Sequence, residues 1–196
     1  MIAGLVLAGG RSIRFGSDKR FYKIGGKTLI EIACEKIAVL CPENYLVVDK
    51  HFNVKQINIK GFNIIRDIEE WKGPLMGIYS AFLQIQSKGC IVVPVDMPYL
   101  NIPFLEYIKN KAKHSDLVVF YDNEFFPLPG FYSSSLLPLM KSSLDKNDYS
   151  LRSLVRIAEG IDKLRVLKLN FEIIRKFGEP KKILFNINSE NDIVEK

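Results

Sequence analysis

Residues 2–19 read Ile2-Ala3-Gly4-Leu5-Val6-Leu7-Ala8-Gly9-Gly10-Arg11-Ser12-Ile13-Arg14-Phe15-Gly16-Ser17-Asp18-Lys19. The run Ile2–Ala8 is nearly all apolar, the pattern of a strand buried on both faces. It ends in a glycine pair and then in basic residues. A strand, a glycine turn and positive charge in that order predict the opening of a mostly parallel α/β sheet. Working outward, the alternation continues. Strand candidates are 2–8, 45–49, 62–66, 90–95, 116–121 and 183–187. Helix candidates are 28–40, 74–86, 103–113, 134–144, 150–159 and 189–195. Thr28 and Glu31 read as a capping box, with Ile32, Ala33, Ile37 and Leu40 recurring at helical spacing. Pro74 and Pro103 stand where first-turn prolines are tolerated. The expected fold is a single-domain three-layer α/β/α sandwich. Residues 122–182 alternate less regularly and are read as an elaboration carrying an antiparallel element.

Composition sets the outer bounds. The chain has 196 residues, 47% hydrophobic and 26% charged, which excludes an intrinsically disordered class. No apolar run approaches the ~20 residues of a membrane helix, and the N-terminus lacks a basic n-region. The three cysteines, Cys34, Cys41 and Cys90, lack metal spacing and read as buried free thiols in a reducing cytoplasm. His51 and His114 have no ligand-type neighbours in sequence and read as surface residues. Gly-x-Ser-x-Gly, a Cys/His pair and zinc spacing are all absent, so nucleophilic and zinc hydrolysis receive no support. The scattered aromatics and lone Trp71 form no RNA-binding signature.

The net charge of +6 is uneven. Residues 11–27 carry net +5 and residues 163–182 another +5, leaving −4 elsewhere. A glycine-rich segment of that charge suits a polyanionic ligand. The second cluster reads as a solvated face, with a charged partner as the minority reading.

In open α/β sheets ligands bind beyond the carboxyl ends of the strands. The unusual residues of this chain follow strand candidates. Gly9-Gly10 follows the first, and Arg14 and Lys19 are placed to neutralise triphosphate charge. The segment is neither a Walker A loop nor a dinucleotide fingerprint. Its glycines still let backbone N–H groups approach an anion closely. Asp96, in Pro94-Val95-Asp96-Met97-Pro98, follows another buried strand. It is either a Mg²⁺ ligand, sharing the ion with phosphate oxygens and water, or a turn aspartate preceding Pro98. Asp67 precedes Gly73-Pro74-Leu75-Met76-Gly77. It is either an acceptor for base, ribose or metal water, or a capping residue. Asn186 and Asn188, alternate positions of the last strand candidate, would face one side. They would orient a ligand or terminate the strand.

These motifs resemble the molybdenum cofactor guanylyltransferase family, within the wider group of nucleoside-triphosphate nucleotidyltransferases. The matching stretches are 7–19, Gly26-Lys27-Thr28-Leu29-Ile30, Gly73-Pro74-Leu75-x-Gly77, Val95-Asp96-Met97-Pro98-Tyr99, Pro127-Leu128 and Asn186-Ile187-Asn188, in family order over nearly the whole chain. The resemblance implies a Rossmann-like nucleotidyltransferase domain with a nucleotide-binding half near 1–100 and an acceptor-binding half near 101–196. It implies GMP transfer from GTP to molybdopterin, giving the guanine dinucleotide cofactor and pyrophosphate with Mg²⁺. It also implies transient contact with molybdoenzymes or cofactor carriers, and no nucleic-acid or membrane partner. By position, Leu7, Ala8, Gly9, Gly10 and Asp67 would contact the nucleotide. Lys19 would hold its phosphates with Arg14, Asp96 would bind Mg²⁺, and Asn186 and Asn188 would meet the acceptor. Asp49 departs from the asparagine that relatives often carry there. The alternatives are a sister enzyme using CTP or another phosphorylated acceptor, and a nucleotide-binding regulator without catalysis.

Overall fold

The computed structural model describes residues 1–9, 18–57, 59–69, 72–189 and 192. Gly10 and Arg14 lie outside the described residues, as does nearly all of the expected helix 189–195. The elements run β1 (Ile2–Leu7), β2 (Lys23–Ile24), β3 (Lys27–Thr28), α1 (Leu29–Leu40), β4 (Asn44–Val48), β5 (Asn63–Arg66), α2 (Gly73–Phe82), β6 (Gly89–Pro94), α3 (Ile102–Lys111), β7 (Leu117–Asp122), β8 (Glu124–Ser133), α4 (Leu137–Asp145), α5 (Leu151–Glu159), β9 (Val166–Leu169), α6 (Phe171–Arg175) and α7 (Pro180–Ile183).

One seven-stranded sheet carries the fold, in the order β5-β4-β1-β6-β8-β7-β9. Strands β5, β4, β1 and β6 pair in parallel, as do β7 and β9. β8 runs antiparallel to both of its neighbours, which supplies the antiparallel element expected within 122–182. β2 and β3 form a separate small antiparallel pair.

The all-apolar reading of β1 has a direct cause. Ala3, Leu5 and Leu7 enter one core with α2, α4 and α5. Val6 and Ala8 enter the other, with α1, α3, α6 and α7. Both faces are covered, so both sets of alternating side chains must be apolar. Glycine is forced at Gly4, where a Cβ would stand 2.2 Å from Ile37 Cγ2 and 2.6 Å from Asn44 Oδ1. Helix α1 starts as expected: Thr28 accepts from the Glu31 amide, and the Glu31 carboxylate accepts from the Thr28 amide. Cys34, Cys41 and Cys90 are free and buried. His51 and His114 are exposed.

The chain steps from β1 to β4 and β5, then returns to β6 on the opposite side of β1. The order of strands therefore reverses beside β1, and the crevice at their carboxyl ends is where such sheets hold ligands.

One expected strand is corrected. Residues 183–187 do not extend; helix α7 ends at Ile183 and the chain continues irregularly. Pro180 stands in the first turn of that helix, and the fully buried apolar residues are Ile183 and Ile187, four apart. Tertiary packing has overridden a β-rich composition.

Candidate active site

Four segments meet at the carboxyl ends of β1, β5 and β6. A cavity of about 320 Å³ lies there, lined among others by Leu7, Gly9, Lys19, Asp67, Asp96 and Asn186. That size is within the range of small-ligand sites. Residues expected from the sequence thus converge from positions up to 179 apart in the chain.

Asp96 follows β6 directly. Its side chain is 16% exposed and its Oδ2 accepts from Lys19 Nζ at 2.5 Å. Asn186 adds a second donor. With its amide turned to satisfy both of its ends, its nitrogen lies 2.7 Å from Asp96 Oδ1 and 3.0 Å from Oδ2. The neighbouring Ile187 N–H donates to the Asp96 carbonyl at 2.9 Å, so the C-terminal segment is seated on the turn after β6. Lys36 of α1 donates to the Pro98 carbonyl of the same turn. Burial pushes the Lys36 ammonium down to about 8, partly countered by Glu35.

Asp67 follows β5 and is fixed through its backbone, whose N–H donates to the Val48 carbonyl at 3.0 Å. Two glycines make room for its carboxylate. A Cβ on Gly9 would stand 3.1 Å from Asp67 Oδ2, and one on Gly77 would stand 3.4 Å from Oδ1 and 3.1 Å from Leu7 Cδ2. Gly73-Pro74 opens α2 as expected, with Gly73 at φ 72°.

The carbonyls near Leu7 already accept. Leu7 O takes the Val95 amide at 3.0 Å, and Ala8 O takes Arg20 Nη1 at 2.9 Å. Asn188 is exposed; its backbone N–H donates to Asp192 Oδ2 and its side chain donates to the Asn186 carbonyl. Once 183–187 is not a strand, the alternation that paired it with Asn186 disappears.

Sequence reading missed Arg20, counting it only as one charge among several. It also left Asp49 without a role. Asp49 is buried at the end of β4, and its Oδ2 lies 2.6 Å from Arg20 Nη1. The available signal was an aspartate following a buried strand with a surplus of cations elsewhere. In the second basic cluster, Arg165, Lys168 and Arg175 pair with Asp116, Glu159 and Glu172.

A second cavity of about 390 Å³ adjoins the first and shares Pro74, Met97, Leu128 and Asn186 with it. Its far wall carries Phe126, Tyr149 and Arg152. The described residues include no group of three or more His, Cys, Asp or Glu placed to hold a metal by themselves. No helix among them is long and apolar enough to cross a membrane.

The family model of the MobA-like NTP transferase domain matches residues 4–164. A protein of Thermococcus sibiricus named "Probable molybdenum cofactor guanylyltransferase" is 31% identical, covering 97% of this chain and 94% of its own length. A protein of Pyrococcus furiosus with the same name is 34% identical, covering 79% of this chain and 80% of its own. Among solved structures, molybdopterin-guanine dinucleotide biosynthesis protein A from Archaeoglobus fulgidus superposes with a TM-score of 0.77, at 23% identity, covering 98% of this chain and 95% of that one. That likeness shows the shared fold.

Proposed function

The chain belongs to the MobA-like NTP transferase family, and from that premise we propose that it transfers GMP from GTP to the terminal phosphate of molybdopterin. The products are the guanine dinucleotide form of the cofactor and pyrophosphate. The observation that carries this reading is the meeting of Lys19 and Asp96 in one cavity at the carboxyl ends of β1 and β6. A cation for phosphates and a carboxylate for a metal are what nucleotidyl transfer requires there.

The attacking oxygen belongs to a phosphate monoester, already anionic at neutral pH. It needs no general base, and bond formation at the α-phosphorus expels pyrophosphate with no net proton transfer to the protein. Catalysis then rests on positioning and charge neutralisation. In this reading Lys19 and Arg14 offset the charge that develops toward the leaving pyrophosphate. The donor set fits Mg²⁺, because one half-buried carboxylate leaves positions for phosphate oxygens and water. Asp96 would hold the ion, which when bound neutralises phosphate charge. Asn186 would orient the Asp96 carboxylate.

The nucleotide half, about 1–100, contributes Leu7, Ala8, Gly9, Gly10 and Asp67. The acceptor half, about 101–196, contributes Asn186 and the adjoining cavity. Two cavities sharing a wall support a two-substrate reaction. Guanine presents N1–H and N2–H₂ donors, and the carboxylate of Asp67 is the acceptor at the cavity wall. A base that left such an acceptor buried without its donor would lose ~1–3 kcal/mol.

Pyrophosphate release with GTP or CTP as donor and molybdopterin as acceptor tests the reading. GTP is expected to exceed CTP by at least about tenfold, the equivalent of ~1.4 kcal/mol. Equal use of both would end the guanine assignment. No release with either would end the transferase reading.

A further inference from the structure

Arg20 makes more connections than any charge on a solvated face requires. Its Nε lies 2.7 Å from Asp18 Oδ1 and its Nη2 lies 2.7 Å from Asp18 Oδ2. Its Nη1 donates both to the Ala8 carbonyl at 2.9 Å and to Asp49 Oδ2 at 2.6 Å. The guanidinium lies over the Phe52 ring at 4.4 Å, and Phe52 stacks on Phe21 at 7° between planes. The side chain is 13% exposed. Burial alone would lower its pKa, but the bonds and charges of Asp18 and Asp49 outweigh that and raise it.

Ala8 and Asp18 stand on either side of the glycine-rich segment, and Asp49 stands at the end of β4. One side chain therefore ties the entry of that segment to its exit, and both to the neighbouring strand. Arg66 braces the same corner from below, donating to the Asp49, Lys50 and Phe52 carbonyls. Arg20 lines neither of the two adjoining cavities. Its neighbour Lys19 lines the first, and reaches Asp96 from the exit that Arg20 holds.

We propose that Arg20 is a positioning residue for the nucleotide, a clasp that ties Ala8, Asp18 and Asp49 together and sets Lys19 against Asp96. This rests on the reading of that segment as a nucleotide site, and not on which base is bound. Three properties of arginine are used: a planar fork, a permanent charge and a face that stacks on an aromatic ring. The clasp also holds two carboxylates around one cation. Removing that cation leaves Asp49 buried and uncompensated.

The test is nucleotide binding by calorimetry, without acceptor, using GTP, CTP and ATP, with melting curves for each variant. Arg20→Met keeps the stem over Phe52 and removes the fork. It is expected to weaken binding of the preferred nucleotide by at least about tenfold and to lower turnover at saturation as well, because Lys19 loses its setting. Arg20→Lys keeps the charge without the fork and should fall between the two. Arg20→Met/Asp49→Asn should bind better than Arg20→Met alone, because the stranded charge is gone. Lys141→Met, which breaks an exposed pair with Asp145, is the control and should bind like wild type. If Arg20→Met melts below the assay temperature, Arg20→Lys and the double variant carry the comparison.

Wild-type affinity in folded Arg20→Met, or in Arg20→Lys where that variant carries the comparison, would overturn the proposal. So would a double variant no better than Arg20→Met, or a loss of binding that merely tracks the unfolded fraction. A wild-type protein that prefers CTP would overturn the guanine assignment alone, since the clasp is judged on the variant-to-wild-type ratio. A wild-type protein that binds none of the three would overturn both.

Discussion

Lys19 Nζ lies 2.5 Å from Asp96 Oδ2, joining the exit of the glycine-rich segment to the end of β6 across 77 positions of sequence. Each side chain is the other's counter-ion. In the proposed reaction a triphosphate with its metal would offer both a stronger partner: phosphate oxygens to the ammonium, and the divalent ion to the carboxylate. The pair is thus preformed, with its geometry set before the ligand arrives.

Asp96→Asn separates the charge of that carboxylate from its shape. Asparagine keeps the size; its oxygen can still accept from Lys19 and its NH₂ can donate to the Asn186 amide oxygen, so the fold should survive. The negative charge that would hold Mg²⁺ is lost. A missing electrostatic contribution of ~3–4 kcal/mol lowers turnover by about two to three orders of magnitude. Nucleotide affinity should change less, because base and ribose contacts remain. Mg²⁺-dependent pyrophosphate release, measured beside thermal melting, decides it. Normal turnover in a folded variant would refute the metal role.

Lys19→Ala should act on phosphates and spare the nucleoside. The side chain stands outside both cores, but it is 20% exposed and pairs with a carboxylate only 16% exposed, so its removal should cost about 1–3 kcal/mol of stability. GTP affinity should fall clearly, while guanosine affinity stays within about twofold of wild type. Parallel losses for GTP and guanosine would place Lys19 in base or ribose recognition instead.

Much of this site was legible in sequence because it sits at strand ends, where local signals are strong. A buried strand ending in glycine or aspartate can be read without knowing its neighbours. Gly9, Lys19, Asp67 and Asp96 were found that way, Asn186 at a strand end that the structure does not form, and Leu7 through the resemblance. What escaped depends on contacts distant in sequence. β8 contains Pro127, Pro129 and Gly130 and lies between β6 and β7, which pair with it on either side of residues 127–129, at a register shift. β9 is four residues long within a basic cluster, and only its pairing with β7 makes it a strand. Residues 183–187 looked like strand by composition. Asp49 ended a strand candidate, but nothing local paired it with Arg20, 29 positions away.

Gly4 and Gly160 make opposite predictions for the same substitution. In Gly4→Ala the new methyl would meet Ile37 and the Asn44 oxygen between β1 and α1 at 2.2 and 2.6 Å. Both are held by the buried interior, so overpacking should destabilise the fold by about 1–3 kcal/mol. Gly160, at the end of α5, has φ −81° and its nearest contact would be the Ile157 carbonyl at 3.5 Å. Alanine fits there and narrows the unfolded ensemble, so Gly160→Ala should be neutral or stabilising by up to ~1 kcal/mol. Denaturant midpoints of the two variants check both. Equal midpoints would mean that the α1–β1 contact is far looser than its geometry.

Lys36 links stability to alkaline pH. Burial holds its folded pKa at about 8, below the ordinary 10.5. Below about pH 8 the residue is protonated both folded and unfolded, and its charged form is the one the interior disfavours. Between about 8 and 10.5 the unfolded chain retains a proton that the folded chain has released. Stability from this residue therefore rises with pH across that window. Lys36→Met keeps the length and removes the titration, so wild type should gain on the variant as pH rises from about 7.5 to 10. The gain should be on the order of 1 kcal/mol, because partial exposure screens the shift. Other titrating groups are common to both proteins and cancel in the difference. Urea denaturation of the two side by side gives the answer: divergence with rising pH is expected, and parallel curves would show that Lys36 is solvated in the folded state and that its hold on the Pro98 carbonyl is weak.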